Sequence, residues 1–310
     1  KDKRKNQEGT FLIRNIKDRQ LKRLDSNPII PTPFRQVNDI TNAGGYTKGS
    51  IIVILDKPKQ SKTAMLVQIA RGYLRQKKNV FFADIENGED ELSIRLEQSV
   101  SKKTKRQLLS GEFDKLVQKI LRKYKRLGGD IYIKRFPAFS NIYDIQSEMD
   151  RIYREYGIRF QMLIIDYAGM MSSTTKRDEE AQRISDVYVD LANLALSNDI
   201  EHIWTPHHIK SEGNKREATR YNDIDIAKCI DIVRHAQAIY GLNRNDDERE
   251  NGVMRMELVV QRDGKQFGRA VFHADQDCQR MDEFTTAQRK EYDEAFNNTE
   301  DEPKNRSKDV

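Results

Sequence analysis

The sequence predicts an α/β fold in which a doubly wound, mostly parallel sheet carries helices on both faces. Short apolar runs alternate with amphipathic stretches between residues 51 and 242, a pattern typical of successive strand–helix–strand units. The apolar runs are nearly continuous, as expected for strands that are covered on both sides. After residue 250, two alternating stretches, 254–261 and 269–274, flank Asp263-Gly264 and predict an antiparallel hairpin at the sheet edge.

The individual elements follow from these runs. Strands are predicted at residues 51–55, 79–84, 130–135, 161–166, 201–205 and 236–242. Helices are predicted at residues 63–76, 89–98, 112–127, 141–156 and 178–197. The helix near 113–126 is strongly basic, but its apolar positions recur near helical spacing. We therefore interpret it as a packed helix with a solvated face rather than as a DNA-binding element.

The chain is predicted to have three parts. Residues 1–30 form a basic arm with a short helix over 12–24, and the proline-rich stretch 27–33 excludes a helix there. Residues 31–283 form the core domain. Residues 284–310 form a polar, disordered tail, because so few apolar residues cannot offset the entropy of ordering the chain.

The composition of the chain indicates its type of partner, the state of its cysteines and whether it associates with a membrane. The chain has 310 residues, is 37% hydrophobic and 34% charged, and has a net charge of +6 with a pI of about 9.1. A basic balance suits an acidic polymer as partner. The two cysteines, Cys229 and Cys278, form no C-x-x-C pair, which indicates reduced thiols in the cytoplasm. Neither a membrane-length apolar run nor a signal peptide is visible, so no membrane association is expected.

The loop after the first strand predicts a phosphate-binding site. Residues 51–55 are apolar, residues 57–63 read Lys-Pro-Lys-Gln-Ser-Lys-Thr, and an amphipathic stretch follows. A strand, a tight loop ending in Lys-Thr and a helix make a P-loop, in which the helix N-terminus attracts an anion. Lys62 would reach the terminal phosphates and Thr63 would hold Mg²⁺. The residues predicted to bind nucleotide in this loop are Pro58, Lys59, Gln60, Ser61, Lys62 and Thr63.

This loop departs from the usual pattern, G-x-x-x-x-G-K-[ST]. Asp56 and Ser61 stand where the two glycines belong. Glycine serves such loops by adopting positive φ and by letting the backbone approach phosphate. Ser61 adds only a small side chain, whereas Asp56 places a carboxylate near a polyanion. The loop by itself is also compatible with an ordinary polar connection between strand and helix.

Two further strands end in acidic residues. Residues 162–166 form an apolar run that ends at Asp166, a Walker B pattern, so this carboxylate is predicted to hold the Mg²⁺ water shell beside Thr63. A strand that simply ends in Asp at a turn is the alternative. Residues 80–84 lead to Asp84 and Glu86, and either would polarise the attacking water or merely cap the following helix.

Two other candidates lie later in the chain. His207 and His208 follow the predicted strand at residues 201–205, where a polar side chain would bond the γ-phosphate. A zinc site is not favoured, because no other ligand falls at a supporting spacing. Arg262, beside the hairpin turn, would reach into a neighbouring subunit as an arginine finger. Incidental surface residues are the alternative at both places.

These features occur in the order, and near the spacings, of the RecA-like ATPase domain of DnaB-type replicative helicases, including the phage branch. The chain resembles a divergent, phage-like member of that family over about residues 30–283. Residues 164–170, Ile-Ile-Asp-Tyr-Ala-Gly-Met, resemble I-I-D-Y-L-x-L. Residues 84–87 resemble S-L-E-M, residues 206–210 resemble the phage branch's His-Leu-Lys, and residues 261–264 resemble part of K-Q-R-N-G.

The resemblance extends to two less specific stretches and has gaps. Residues 31–40 with Gly44-Gly45 are similar to P-T-G-F-x-x-L-D and its Gly-rich turn, and residues 184–192 are similar to I-S-x-x-L-K-x-L-A. Both P-loop glycines are missing, Val260 replaces a basic residue, and a lysine is absent near Val189. These departures put the turnover rate in question more than the fold.

The resemblance implies a RecA-like P-loop NTPase that uses ATP, or another nucleotide, with Mg²⁺. Its catalytic residues would be Glu86, Lys62, His208 and the neighbouring subunit's Arg262. The family forms rings, here expected to be hexameric, that translocate on single-stranded DNA during DNA replication. Primase, a loader or a polymerase are the expected protein partners, and the chain would be the motor half of a longer helicase.

DNA contacts are expected in two loops at the ring centre. The candidates are residues 171–177 and 210–220, and the second carries the four basic residues Lys210, Lys215, Arg216 and Arg220, which suit phosphate binding. A basic surface loop without this role is the alternative. Two other functions remain open at this stage, a RecA- or KaiC-like recombinase or regulatory ATPase, and a hydrolysis-impaired scaffold that binds DNA.

Overall fold

The computed structural model describes residues 28–56, 61–175, 179–208, 230–262, 264–265 and 267–300. The predicted helix over 12–24 and residues 301–310 lie outside these ranges. The same is true of the whole predicted DNA-contacting loop at residues 210–220.

The strands, in chain order, are β1 Ile29–Ile30, β2 Tyr46–Thr47, β3 Ser50–Asp56, β4 Val80–Asp84, β5 Ile131–Arg135, β6 Met162–Asp166, β7 His202–His208, β8 Ala238–Asn243, β9 Val253–Gln261, β10 Arg269–Asp275 and β11 Arg280–Glu283. The helices are α1 Arg35–Ile40, α2 Lys62–Arg75, α3 Glu89–Ser101, α4 Lys105–Leu109, α5 Asp114–Leu127, α6 Ile142–Tyr156, α7 Glu180–Ser197, α8 Ile230–Val233, α9 Asp246–Glu250 and α10 Thr286–Glu300. A single 3-10 turn, Ala168–Met170, follows β6.

Nine strands form one sheet in the order β11-β10-β9-β8-β3-β7-β6-β4-β5. The six strands from β8 to β5 pair in parallel, and β9, β10 and β11 extend the sheet with antiparallel pairs. The predicted fold class, a mostly parallel sheet with a C-terminal antiparallel hairpin, is confirmed. The predicted strands and helices agree with the observed ones to within three residues at each end.

Helices cover both faces of this sheet because alternate residues of each strand point to opposite sides. Ile52 and Ile54 of β3 lie in a cluster with the apolar face of α2. Val53 and Leu55 lie in a second cluster with α6 and α7. All four side chains are fully buried, which explains why the sequence of β3 is apolar throughout.

The C-terminal part is more ordered than the sequence predicts. Instead of a disordered tail from residue 284, the chain forms α10 over Thr286–Glu300. Asp293 accepts hydrogen bonds from Arg289 one turn away and from Arg269 of β10, both at 2.8 Å. The ring of Tyr292 packs edge-on against Phe284. These tertiary contacts, which composition does not reveal, hold a polar helix against the sheet.

The longest helix, α7, has 18 residues and is amphipathic, with a polar side as well as the apolar side that contacts the sheet. The helix α6, with 15 residues, is amphipathic in the same way. Among the residues that the structure describes, none of the helices combines the length and the apolar character required to cross a membrane.

Candidate functional site

The candidate site lies at one edge of the sheet, where the parallel strands β3, β4, β6 and β7 end. The carboxyl ends of parallel strands meet at a common edge, which is where ligands bind in open α/β sheets. Asp84 and Asp166 are paired residues of β4 and β6, and His208 pairs with Asp56 at the ends of β7 and β3. Residues predicted from separate motifs therefore meet at this edge.

The first turn of α2 contributes Lys62 and Thr63. Lys62 is only 8% exposed, and its charge is close enough to lower the pKa of His208. The Thr63 hydroxyl donates a 2.8 Å hydrogen bond to Oδ2 of Asp166. The two residues that the sequence predicted to share a magnesium ion, 103 positions apart in the chain, are thus in direct contact.

The oxygens of Thr63 and Asp166 are of the type that Mg²⁺ prefers, so this pair fits the ion that the resemblance implies. Within the described ranges, no group of three or more His, Cys, Asp or Glu side chains could hold a metal by itself. A magnesium ion here would therefore take further ligands from water and phosphate, as it usually does in nucleotide sites.

Asp166 lies in an electrostatically unfavourable place. Its side chain is 1% exposed, and this burial raises its pKa to about 6, with a further increase from the nearby Glu86 and Asp84 and an opposing effect from the Thr63 hydrogen bond. A buried carboxylate with this pKa is typical of a functional site, because burial alone favours its neutral form.

Asp84 and Glu86 differ in their surroundings. Asp84 is fully buried and accepts backbone N–H groups of Asn87 and Gly88, so it shapes the loop that leads into α3. Glu86 is exposed, and its charge reaches Asp166 and His208. Of the two carboxylates that the sequence left as alternatives, Glu86 is the one with a free surface beside the site.

Asn87 is a site residue to which the sequence assigned no role. Its Nδ2 donates to Oδ1 of Asp84 and to Oδ2 of Asp166, each at 3.2 Å. It therefore bridges the ends of β4 and β6. Its position directly after Glu86 was the sequence feature that could have identified Asn87 as a site residue. A bridge between two strands is a tertiary contact, however, and leaves no local pattern in the sequence.

Thr205 is a second residue that was missed. It is fully buried in β7, and its Oγ1 accepts the backbone N–H of Ala168 at 3.0 Å. This bond connects β7 to the turn that follows Asp166.

His208 has two identified neighbours at the site, Tyr167 and Lys62. Its ring packs edge-on against Tyr167, with 4.7 Å between the centroids. Partial burial, followed by the charge of Lys62, lowers its pKa, and Glu86 acts in the opposite direction. The preference for His208 over His207 remains a prediction that these contacts support.

Arg262 lies near the amino-terminal ends of the parallel strands, opposite the end at which Thr63 and Asp166 lie. It follows β9, which runs antiparallel to β8; its backbone N–H donates to the carbonyl of Gln237 at 3.0 Å, and its guanidinium donates to the carbonyl of Arg234. The strands separate this edge from Thr63 by roughly 20 Å, since a strand of about six residues rises about 3.3 Å per residue. Arg262 therefore cannot serve the site of its own chain.

Several predicted residues lie outside the described ranges. These are Pro58, Lys59, Gln60, Lys210, Lys215, Arg216 and Arg220. In the other predicted DNA loop, residues up to 175 are described, and Thr174 there donates its backbone N–H to Asp190 of α7 at 3.0 Å.

Ser61 has the backbone conformation that the missing glycine would provide. Its φ is 71° and its ψ is 18°, in the left-handed region, and its side chain makes no capping hydrogen bond. A non-glycine residue in this region costs about 1–2 kcal/mol.

Ser61→Gly is therefore expected to raise the free energy of unfolding by about 1 kcal/mol, or the melting temperature by about 2 °C. Thermal denaturation followed by circular dichroism measures this. Ser147→Gly, in the middle of α6, is the matched control and is expected to lower the melting temperature. Equal decreases in both variants would show that Ser61 is not strained.

Comparison with known proteins agrees with this architecture. Residues 30–282 match the family model of the DnaB-like helicase C-terminal domain. The chain is 25% identical over 186 residues to the replicative DNA helicase DnaB of Helicobacter pylori (strain ATCC 700392 / 26695), an alignment that covers 55% of this chain and 35% of that one. The chain spans between 35% and 56% of the length of the curated relatives it matches.

Two solved structures share the fold. One is an isolated ATPase domain, which superposes with a TM-score of 0.70 at 18% identity, covering 90% of this chain and all of that one (100%). The other is a DnaB-like replicative helicase, solved in a study of its interactions with primase, which superposes with a TM-score of 0.68 at 18% identity, covering 88% of this chain and 67% of that one. With the family match over residues 30–282, the chain belongs to the family of DnaB-like helicase C-terminal domains.

Proposed function

We propose that this chain is the ATP-driven motor of a replicative DNA helicase, which hydrolyses nucleotide between the subunits of a ring and translocates on single-stranded DNA. The observation that carries this proposal is the contact between Thr63 and Asp166 at the start of α2. Family membership supports the helicase assignment. Hydrolysis, ring assembly and translocation are the steps that remain to be measured.

Binding of the nucleotide would depend on the start of α2. The free N–H groups and the positive dipole end of a helix attract phosphate, and Lys62 would add a full positive charge. Thr63 and Asp166 would hold a Mg²⁺ ion, whose chemical contribution is to neutralise the phosphate oxygens. Ionisation of Asp166 would then become favourable, because a divalent cation offsets its burial.

Glu86 would orient the attacking water, because it is the exposed carboxylate beside Asp166. Asp84 would instead hold the loop that carries Glu86, through its bonds to Asn87 and Gly88. His208 would sense the terminal phosphate, and its contact with Tyr167 would pass that information to the turn after β6. This division of roles separates positioning from chemistry.

The position of Arg262 supports a ring, if this residue is the arginine finger. A finger that lies on the edge opposite its own site can act only on another subunit, and head-to-tail contacts of this kind close into rings when the rotation permits. Residues 171–177 and 210–220 would contact DNA at the centre. A primase is the protein partner that we propose first, since the solved DnaB-like relative was studied with one.

Lys62→Ala is expected to lower nucleotide affinity and to reduce hydrolysis by about 10²-fold or more, because one oriented charge on the transferring phosphate is lost. Nucleotide binding is measured by fluorescence titration and hydrolysis by phosphate release. Lys290→Ala, on the exposed surface of α10, is the matched control and is expected to behave as the unmodified chain. Unchanged hydrolysis in Lys62→Ala would remove this lysine from the mechanism.

Hydrolysis measured with and without single-stranded DNA distinguishes the competing functions. Stimulated hydrolysis together with unwinding of a forked duplex supports the helicase. Stimulated hydrolysis without strand separation favours a recombinase-like or regulatory ATPase, and DNA binding without turnover favours a scaffold. A rate of hydrolysis per subunit that rises with protein concentration would support nucleotide sites shared between subunits.

A further inference from the structure

The net positive charge of the chain is concentrated in one short stretch. Residues 102–126 contain ten Lys or Arg and two acidic residues, a net of +8, whereas the whole chain has +6; the remaining residues together carry −2. We call this stretch the basic surface. Its ten cations are Lys102, Lys103, Lys105, Arg106, Lys115, Lys119, Arg122, Lys123, Lys125 and Arg126.

The cations of α5 form a regular row. Four of them, Lys115, Lys119, Arg122 and Arg126, recur at intervals of four, three and four, so that they lie along one side of the helix about 5–6 Å apart. They are exposed and line a shallow groove of about 490 Å³ together with Gln118 and Lys125. The apolar side of α5 packs towards α2 and α3 through Ile120, Leu121 and Tyr124.

These cations are not balanced by acidic neighbours, in contrast to two arginines of other helices. On α6, Arg151 lies 2.7 Å from Glu148 and 2.6 Å from Glu155, and on α10, Arg289 lies 2.8 Å from Asp293. Among the described residues, no carboxylate forms an ion pair with any of the four row cations; the basic surface has ion pairs only at Lys105 and Lys125. Like charges one turn apart destabilise a helix, so a solvated face alone does not account for them.

The basic surface lies on a different side of the sheet from the described part of the first predicted DNA loop, residues 171–175. The helix α5 packs on the α2–α3 side of the sheet, whereas α7 and α8, to which the loops after β6 and β7 connect, pack on the other side. The edge strand β5 beside it is four strand positions from β3, or roughly 19 Å at about 4.8 Å per strand. The surface therefore lies away from the nucleotide site and from the described residues of the loop after β6.

We propose that the basic surface binds the phosphate backbone of a nucleic acid strand, independently of base sequence, as a second contact outside the predicted central loops. An evenly repeated row of one sign matches the regular charge of such a backbone. The exposed basic side chains of α5 offer no enclosed pocket that would recognise a base or a defined peptide. This inference rests on the proposed function in one respect: if the chain is a helicase motor, DNA is the nucleic acid that it meets.

The test compares two variants with the same change of net charge. The first combines Lys115→Gln, Lys119→Gln, Arg122→Gln and Arg126→Gln. The control combines Arg75→Gln, Arg154→Gln, Arg249→Gln and Lys290→Gln, all at exposed positions. Binding of fluorescent oligo-dT and of a forked duplex is measured by anisotropy between about 50 and 200 mM salt.

The first variant is expected to bind DNA about tenfold more weakly than the control, and its plot of log affinity against log salt is expected to be shallower by about 2–3 units, since each single-strand phosphate contact contributes about 0.7. Its melting temperature should not fall, because glutamine is a good helix former and like-charge repulsion is removed. Equal affinities and slopes for the two variants would overturn the proposal. So would a loss of poly-glutamate binding with DNA binding unchanged, which would identify an acidic protein as the partner.

Hydrolysis measured with and without DNA separates this proposal from the proposed function. If the unmodified chain does not hydrolyse nucleotide, yet the first variant loses DNA affinity relative to the control, the motor proposal fails and the basic surface stands. If hydrolysis is stimulated by DNA equally in both variants and their DNA affinities agree, the motor stands and the basic surface fails.

Discussion

Arg262→Ala is expected to reduce nucleotide hydrolysis by about 10³-fold or more while nucleotide binding stays near normal, because an arginine finger acts mainly on the charge of the transition state. The guanidinium lies at the sheet edge opposite Thr63 and bonds the carbonyl of Arg234, so its removal leaves the binding residues of its own chain unchanged. Steady-state hydrolysis and equilibrium nucleotide titration measure the two effects. Lys265→Ala, an exposed lysine in the same loop, is the control.

A mixing experiment tests whether the finger acts on a neighbour. Lys62→Ala retains the finger and Arg262→Ala retains the phosphate-binding residues, so a mixed assembly would contain complete sites although each variant alone has none. Random mixing of equal amounts would make about one quarter of the head-to-tail interfaces complete. Hydrolysis well above that of either variant alone is the expected result. If the mixture stays as inactive as its components, Arg262 does not act between subunits.

Asp166→Asn is expected to reduce nucleotide hydrolysis by about 10²-fold or more and, at the same time, to stabilise the nucleotide-free protein. The carboxyl group is 1% exposed, and burial raises its pKa to about 6. At about pH 8 the ionised group therefore opposes folding, by an amount on the order of 1–3 kcal/mol. An asparagine keeps an acceptor for the Thr63 hydroxyl without the charge.

The pH dependence of folding stability shows in which direction Asp166→Asn should change the melting temperature. The folded-state pKa of Asp166, about 6, is above its ordinary value, so the folded state binds the proton more tightly and the stability contributed by this group is lost as pH rises from about 4 through 6. The melting temperature of Asp166→Asn should therefore exceed that of the unmodified chain at about pH 8 and approach it at about pH 4. Thermal denaturation over this range measures the difference.

Asp84→Asn is the matched control for Asp166→Asn. Asp84 is equally buried but accepts the backbone N–H groups of Asn87 and Gly88, so its loss should lower the melting temperature. Mg²⁺ with nucleotide should then stabilise the unmodified chain more than Asp166→Asn, since ligands stabilise the state that binds them. A destabilised Asp166→Asn at about pH 8 would show that the buried charge is not a burden on the fold.

Much of the sheet could be predicted from sequence because its strands are covered on both faces. Burial on both sides requires continuous apolar runs, and these appear in the chain as local patterns, as in β3 and β6. The contact between Thr63 and Asp166 follows from the same logic, since parallel strands end at one edge. The tail was predicted less well, because α10 is held by Arg269 and Phe284 and not by its own composition.

By itself, the sequence determined the order of the parallel strands and of the long helices between them, the acidic residues that end β4 and β6, and the stretch in which positive charge accumulates, since each is a property of neighbouring residues. The tertiary structure alone decided that Asn87 bridges two acidic residues, that Asp84 shapes a loop while Glu86 stays exposed, and that Arg262 faces away from its own site. Those relations depend on hydrogen bonds and strand directions between segments far apart in the chain, and only folding brings such segments together.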